Sequence, residues 1–144
     1  MQKFPHYYIT QAIGQPTGTI TTNSSHLEKL QIAAPKEFDG PGDKWSPEEL
    51  LIASVADCLI LTFRAIASAS KLEWIDLTCE AKGTLDRVEK TTRFTEIHVK
   101  ASLKIPSQSD KEKASHLLEK AEQNCLITNS LTAQTYLEVN INYA

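Results

Sequence analysis

Residues 48–70 constrain this chain more than any other stretch. Leu50, Leu51, Ile52, Val55, Leu59, Ile60, Leu61, Phe63 and Ile66 dominate it, with alanines and serines between them. At the helical period these residues leave no continuous polar face, and a helix that is apolar all round is expected to be buried on nearly all sides. Its start is well marked. Ser46 suits the N-cap and Pro47 the first helical position, and Glu48 and Glu49 complement the positive end of the helix dipole. Ser46 and Glu49 also have capping-box spacing. Asp57 and Arg64 interrupt the apolar run near its middle. Each would cost roughly 3 kcal/mol at the centre of a bilayer, so the stretch reads as a core helix, and no membrane partner is expected.

A chain of 144 residues is most simply one domain, spanning residues 1–144, and is long enough for a real core. The net charge of -3 gives no electrostatic reason to expect nucleic acid. The first ten residues lack the apolar core of a signal peptide, so a cytoplasmic location is expected. Three widely spaced cysteines, Cys58, Cys79 and Cys125, do not form a disulfide scaffold. Such cysteines in a cytosolic protein are more often buried hydrophobes or redox and nucleophilic groups. The histidines at 6, 26, 98 and 116 show no metal-ligand spacing among themselves or with the cysteines, and no Gly-rich phosphate loop stands out. Neither a metal nor a cofactor is expected.

The remaining elements follow from pattern. Residues 6–12 and 17–23 are rich in Tyr, Ile and Thr around a Gly-Gln-Pro break and predict a β-hairpin, with a third strand near Leu30–Ala34. Residues 35–46, with two Pro and two Gly, read as a loop feeding the long helix. Residues 73–85 alternate apolar and polar, as do 93–105 with one phase slip near Glu96, which predicts a second hairpin. Residues 110–124 form a surface helix with Ala114, Leu117, Leu118 and Ala121 inward; residues 129–134 suggest another helical turn, and 138–143 a last strand. Segregated antiparallel strands with helices against them make an α+β fold. The sheet can cover one side of the long helix. A second copy of the chain is the natural cover for the other, which predicts a homodimer.

Cys58 lies in the middle of this helix, where the dipole gives a thiolate no help. Asp57, if it faces the thiol, raises the thiol pKa, so a reactive Cys58 calls for a cation from elsewhere. Cys125 follows the end of a helix and can bridge to Cys58 only if their α-carbons come within about 7 Å. Cys79 falls on the apolar face of a strand and reads as core. Glu48 and Glu49 are first-turn acids. Glu48 and Cys58 are ten residues apart, about 15 Å along a helix axis, and cannot touch within one chain. A site holding both must span two subunits.

Residues 46–67 resemble the signature of the OsmC/Ohr family, the osmotically inducible and organic hydroperoxide resistance proteins. The family pattern is a Pro-Glu-(Glu/Gln)-Leu helix start followed, ten residues after the first Glu, by a buried cysteine. Pro47, Glu48, Glu49, Leu50 and Cys58 match it. The second element is a Cys followed by a short polar run, here Cys125 to Leu131. The resemblance covers nearly the whole chain. It implies an OsmC-like fold: antiparallel sheets, a long buried central helix and an intertwined homodimer. It further implies a thiol-dependent peroxidase without metal or flavin. Cys58 would be the peroxidatic thiolate, and Cys125 would resolve its sulfenic acid as an intrachain disulfide. A dithiol, of lipoyl type in several family members, would restore both thiols. Glu48 would orient an arginine of the site.

Two departures from the family pattern stand out. The arginines of this chain are at 64, 87 and 93 only, so neither the N-terminal hairpin nor the loop before Pro47 supplies the family's arginine. Glu37 takes roughly the place of that arginine in the loop, and Lys36 beside it offers a point charge without the bidentate fork of a guanidinium. Leu126 stands where the family has a proline after the second cysteine, which predicts a looser Cys125. The rival reading is a catalytically weakened OsmC-like protein that binds a small ligand or acts as a thiol redox sensor.

Overall fold

The structure, a computed structural model, describes residues 1–144. The chain divides into two compact units, Met1–Leu50 and Leu51–Ala144.

The first unit holds a three-stranded antiparallel sheet of β1 (Gln11–Ile13), β2 (Ile20–Asn23) and β3 (Leu30–Ile32). The predicted first hairpin forms, but its first strand is shorter than the Tyr- and Ile-rich pattern suggested: residues 6–10 are not strand. β3 is tied to the loop that follows by the Ala33 N–H donating to the Trp45 carbonyl at 3.0 Å. Between them lies a 3-10 turn at Lys36–Phe38. Ile32 is the buried apolar residue of this unit, while Tyr7, Tyr8, Ile9 and Ile13 are exposed. A small sheet with so little core is marginal by itself.

The long helix, α1 (Pro47–Ala69), begins as the sequence predicts. The Glu49 N–H donates to Ser46 Oγ at 3.2 Å, and the Ser46 hydroxyl donates to the Glu49 carboxylate at 2.9 Å. One of the open N–H groups at the helix start is thereby satisfied, and the Glu49 carboxylate holds the capping hydroxyl.

In the second unit β4 (Asp76–Val88) and β5 (Thr91–Ile105) form the predicted hairpin. The phase slip near Glu96 is a β-bulge: Thr84 pairs with Glu96 and Leu85 with Phe94, so Thr95 is the extra residue. The surface helix is α2 (Lys111–Gln123), with Ala114, Leu117, Leu118 and Ala121 all buried. The following helical turn is α3 (Leu126–Asn129), not residues 129–134. The Cys125 carbonyl starts it by accepting the Asn129 N–H at 3.0 Å, and that capping position has no strong sequence mark. β6 (Gln134–Tyr143) pairs with β5 in parallel, the one departure from an antiparallel arrangement. Its reason is topological: α2 and α3 carry the chain back along the sheet, so the last strand re-enters in the direction of β5.

Both helices lie on one face of this sheet. Val55, Leu59, Phe63 and Ala67 of α1 pack with Ile97, Val99, Ala101, Leu103 and Ile105 of β5 and with the inner stripe of α2. Phe63 meets Trp74 edge-on at 5.4 Å. The other sheet face carries Glu80, Lys82, His98, Lys100 and Glu138, all exposed. Gly83 lets α1 approach: a Cβ there would stand 2.4 Å from Ile52 Cδ1 and 3.0 Å from Phe94 Cδ1. Gly83→Val is therefore expected to lower stability by about 1–3 kcal/mol, read from urea unfolding. An unchanged midpoint would show that helix and strand separate freely at this point.

Within one chain α1 is buried along a single stripe, not on nearly all sides. Leu61 is 57% exposed, and 28% of the helix's most apolar 18-residue window is buried. The sheet and α2 together cover one face only, so the apolar remainder has no cover within the chain.

Candidate functional site

Cys58 sits half-buried in the middle of α1, and Cys125, fully buried, joins α2 to α3. Packing of α1 and α2 against the same sheet brings the two cysteines near enough for each to shift the acidity of the other. No disulfide links them. Cys125 is firmly held. Its N–H donates to the Glu122 carbonyl at 3.2 Å, and the buried Thr128 hydroxyl donates to its carbonyl at 3.1 Å.

The two thiols differ in acidity. Burial pushes the Cys58 thiol up, but the Ile127 N–H, the Cys125 thiol, the Thr62 hydroxyl and the Leu126 N–H all bond the sulfur, and the net shift is downward. Cys125 is raised, first by burial and also by the neighbouring Cys58, against the opposing bonds of Thr128. The pair is therefore ordered in acidity, with Cys58 the more acidic thiol and Cys125 the less acidic. Within one chain the groups that lower Cys58 are neutral donors from α1 and α3, and Asp57 is exposed. Thr62, one helical turn after Cys58 with its Oγ1 3.8 Å from the sulfur, was missed in reading the sequence. Its i, i+4 spacing was the available signal. Cys79 is pushed up to about 11 by burial, as expected of a core cysteine.

Glu48 and Lys36 belong to the first unit. Glu48 is half-buried in the first turn of α1, and its Oε2 is buried with no hydrogen-bond partner. Such an orphaned carboxylate oxygen is costly and calls for a donor. Lys36 is exposed. Its stem crosses Gly42, where φ is +78° and a Cβ would stand 2.5 Å from the lysine Cε. Glycine at 42 thus serves both the left-handed turn and the lysine's path. The ion pairs of the chain are Lys44–Asp43 and His98–Glu96, so neither Lys36 nor Glu48 has an ionic partner within it. Arg64 is exposed, and no group of three or more metal-ligating side chains is present.

The arrangement is suited to thiol redox chemistry: a thiol lowered in pKa with a second thiol beside it. The chain is also similar to known proteins. The family model described as OsmC-like protein matches residues 40–140. The uncharacterised protein YmaD of Bacillus subtilis is 32% identical over 93% of this chain and 91% of its own length. An OsmC-like protein of unknown function from Vibrio cholerae superposes with a TM-score of 0.86 at 18% identity, over 94% of this chain and 99% of that one. An organic hydroperoxide resistance protein, OsmC, from Legionella pneumophila does so with a TM-score of 0.72 at 25% identity, over 97% of this chain and 99% of that one.

Proposed function

We propose, from the premise that this chain belongs to the OsmC-like protein family, that it is a thiol-dependent peroxidase acting on organic hydroperoxides. The observation that carries this reading is the contact between a thiol pulled down in pKa, Cys58, and one pushed up, Cys125. The Cys58 thiolate attacks the terminal peroxide oxygen. The O–O bond breaks, the alkoxide leaves and takes up a proton, and the sulfur becomes a sulfenic acid. The Cys125 sulfur then attacks the Cys58 sulfur, water departs, and a disulfide forms. A dithiol of lipoyl type reduces it by exchange and is itself left as a disulfide. The net change is one hydroperoxide and one dithiol to alcohol, water and a disulfide.

The active form in this reading is a cytoplasmic homodimer. The uncovered apolar side of α1 and the exposed Tyr7, Tyr8, Ile9 and Ile13 support a second copy as the cover. Glu48, with its unpartnered oxygen, and Lys36, with its free ammonium, then supply charge to a site completed by the dimer.

The test is mass spectrometry of the purified protein after one equivalent of cumene hydroperoxide, without reductant, with digestion to locate the bond. A Cys58–Cys125 disulfide is expected within the mixing time. Two unreacted thiols in folded protein would reject the peroxidase. The rival, a ligand-binding or thiol-sensing member weakened by the missing arginine, would then take its place.

A further inference from the structure

Of the donors around Cys58, Thr62 is the one that comes from a side chain other than the second cysteine. A threonine inside a helix ordinarily turns its hydroxyl back onto the carbonyl three or four residues earlier. Ser54 on the same helix does this, donating to the Leu51 carbonyl. The Thr62 hydroxyl instead lies against the Cys58 sulfur at 3.8 Å. It is half-buried, between the buried Leu59 and Phe63 turns of the core stripe. While Cys58 is a thiol, either atom can donate. Once the sulfur is ionised, only the hydroxyl can.

We propose that Thr62 is a working member of the thiol site, donating its hydroxyl hydrogen to the ionised Cys58 sulfur and fixing the direction in which that sulfur presents its lone pairs. The role rests on Cys58 being the reactive thiolate. No proton is transferred: the hydroxyl keeps its hydrogen and shares it with the anion, a charge-assisted bond of the stronger class. The Ile127 and Leu126 amides of α3 also lower the Cys58 thiol, and Thr62 is the donor that reaches the sulfur from its own helix. Among the groups that bond the sulfur, Cys125 is the one that titrates. Asp57, its neighbour in sequence, is exposed. No charged side chain bonds the sulfur, so the loss of one neutral donor should be visible against this background.

The test is the pH dependence of Cys58 alkylation by iodoacetamide, followed by mass spectrometry of the peptide that carries it, in the parent, Thr62→Val and Thr62→Ser. Valine keeps the shape and removes the hydroxyl, and serine keeps the hydroxyl. Thr62→Val should alkylate about tenfold more slowly at neutral pH, with its midpoint moved to higher pH. Its rate should converge on that of the parent once the pH exceeds both midpoints. Thr62→Ser should follow the parent. A valine variant that titrates with the parent overturns the proposal, as does a serine variant displaced as far as valine, since that would reflect packing. If Thr62→Val does not fold, Thr62→Ala takes its place with the same two outcomes. Alkylation needs no peroxide. A displaced valine curve in a protein that fails to consume hydroperoxide would keep Thr62 as the donor while rejecting the peroxidase.

Discussion

Cys58→Ser is expected to reduce hydroperoxide consumption to the uncatalysed background, a loss of at least ~10³-fold. A serine hydroxyl at this position has the same donors as the thiol, the Ile127 and Leu126 amides and Thr62. Those bonds cannot bring an alcohol near ionisation at neutral pH, and oxygen is a poor nucleophile toward a peroxide. The assay is loss of cumene hydroperoxide in the presence of dihydrolipoamide. Cys79→Ser is the control: burial holds that thiol protonated, pushed up to about 11, so its removal should leave turnover unchanged. Thermal unfolding of Cys58→Ser should match the parent, because the substitution changes one half-buried atom. Turnover retained in Cys58→Ser would remove the peroxidase assignment outright.

Cys125→Ala separates attack from recycling. One equivalent of alcohol per chain is expected in a fast phase, after which catalytic turnover should stop. Cys58 should accumulate as a sulfenic acid that dimedone traps, and excess peroxide should carry it on to the sulfinic acid. The substitution also removes one donor to the Cys58 sulfur, so the first turnover should be slower at neutral pH and recover as the pH rises. The direction follows from the sign of the shift. A donor to the thiolate lowers its pKa, and its loss raises the pKa and shrinks the ionised fraction below that point. Sustained turnover with dithiol in Cys125→Ala would show that the reductant attacks the sulfenic acid directly and would deny Cys125 a resolving role.

Much of this was legible in the sequence because it depends on near neighbours. The Ser46–Glu49 cap is a local hydrogen-bond pair at a fixed spacing, and the structure forms it. The inner stripe of α2 follows from helical period alone. The bulge at Thr95 registered as a break in alternation, because an extra residue shifts every later side chain to the opposite face. The parallel entry of β6 was not legible, since strand direction depends on where a crossover returns the chain. The start of α3 was placed too late because its cap is a cysteine, which has no capping preference.

The sequence by itself determined the long apolar helix, its capped start, the α+β alternation and the positions of the cysteines. Each is set by propensity and periodicity within a few residues. Tertiary structure decided the chemistry of those cysteines. Cys58 and Cys125 are 67 positions apart, and only the packing of α1 and α2 on one sheet brings their sulfurs together. A thiol's pKa answers to the donors within about 4 Å of it. The groups that lower Cys58 are the Cys125 thiol, a hydroxyl one turn away on its own helix and two amides from α3, an element whose start the sequence pattern puts too late.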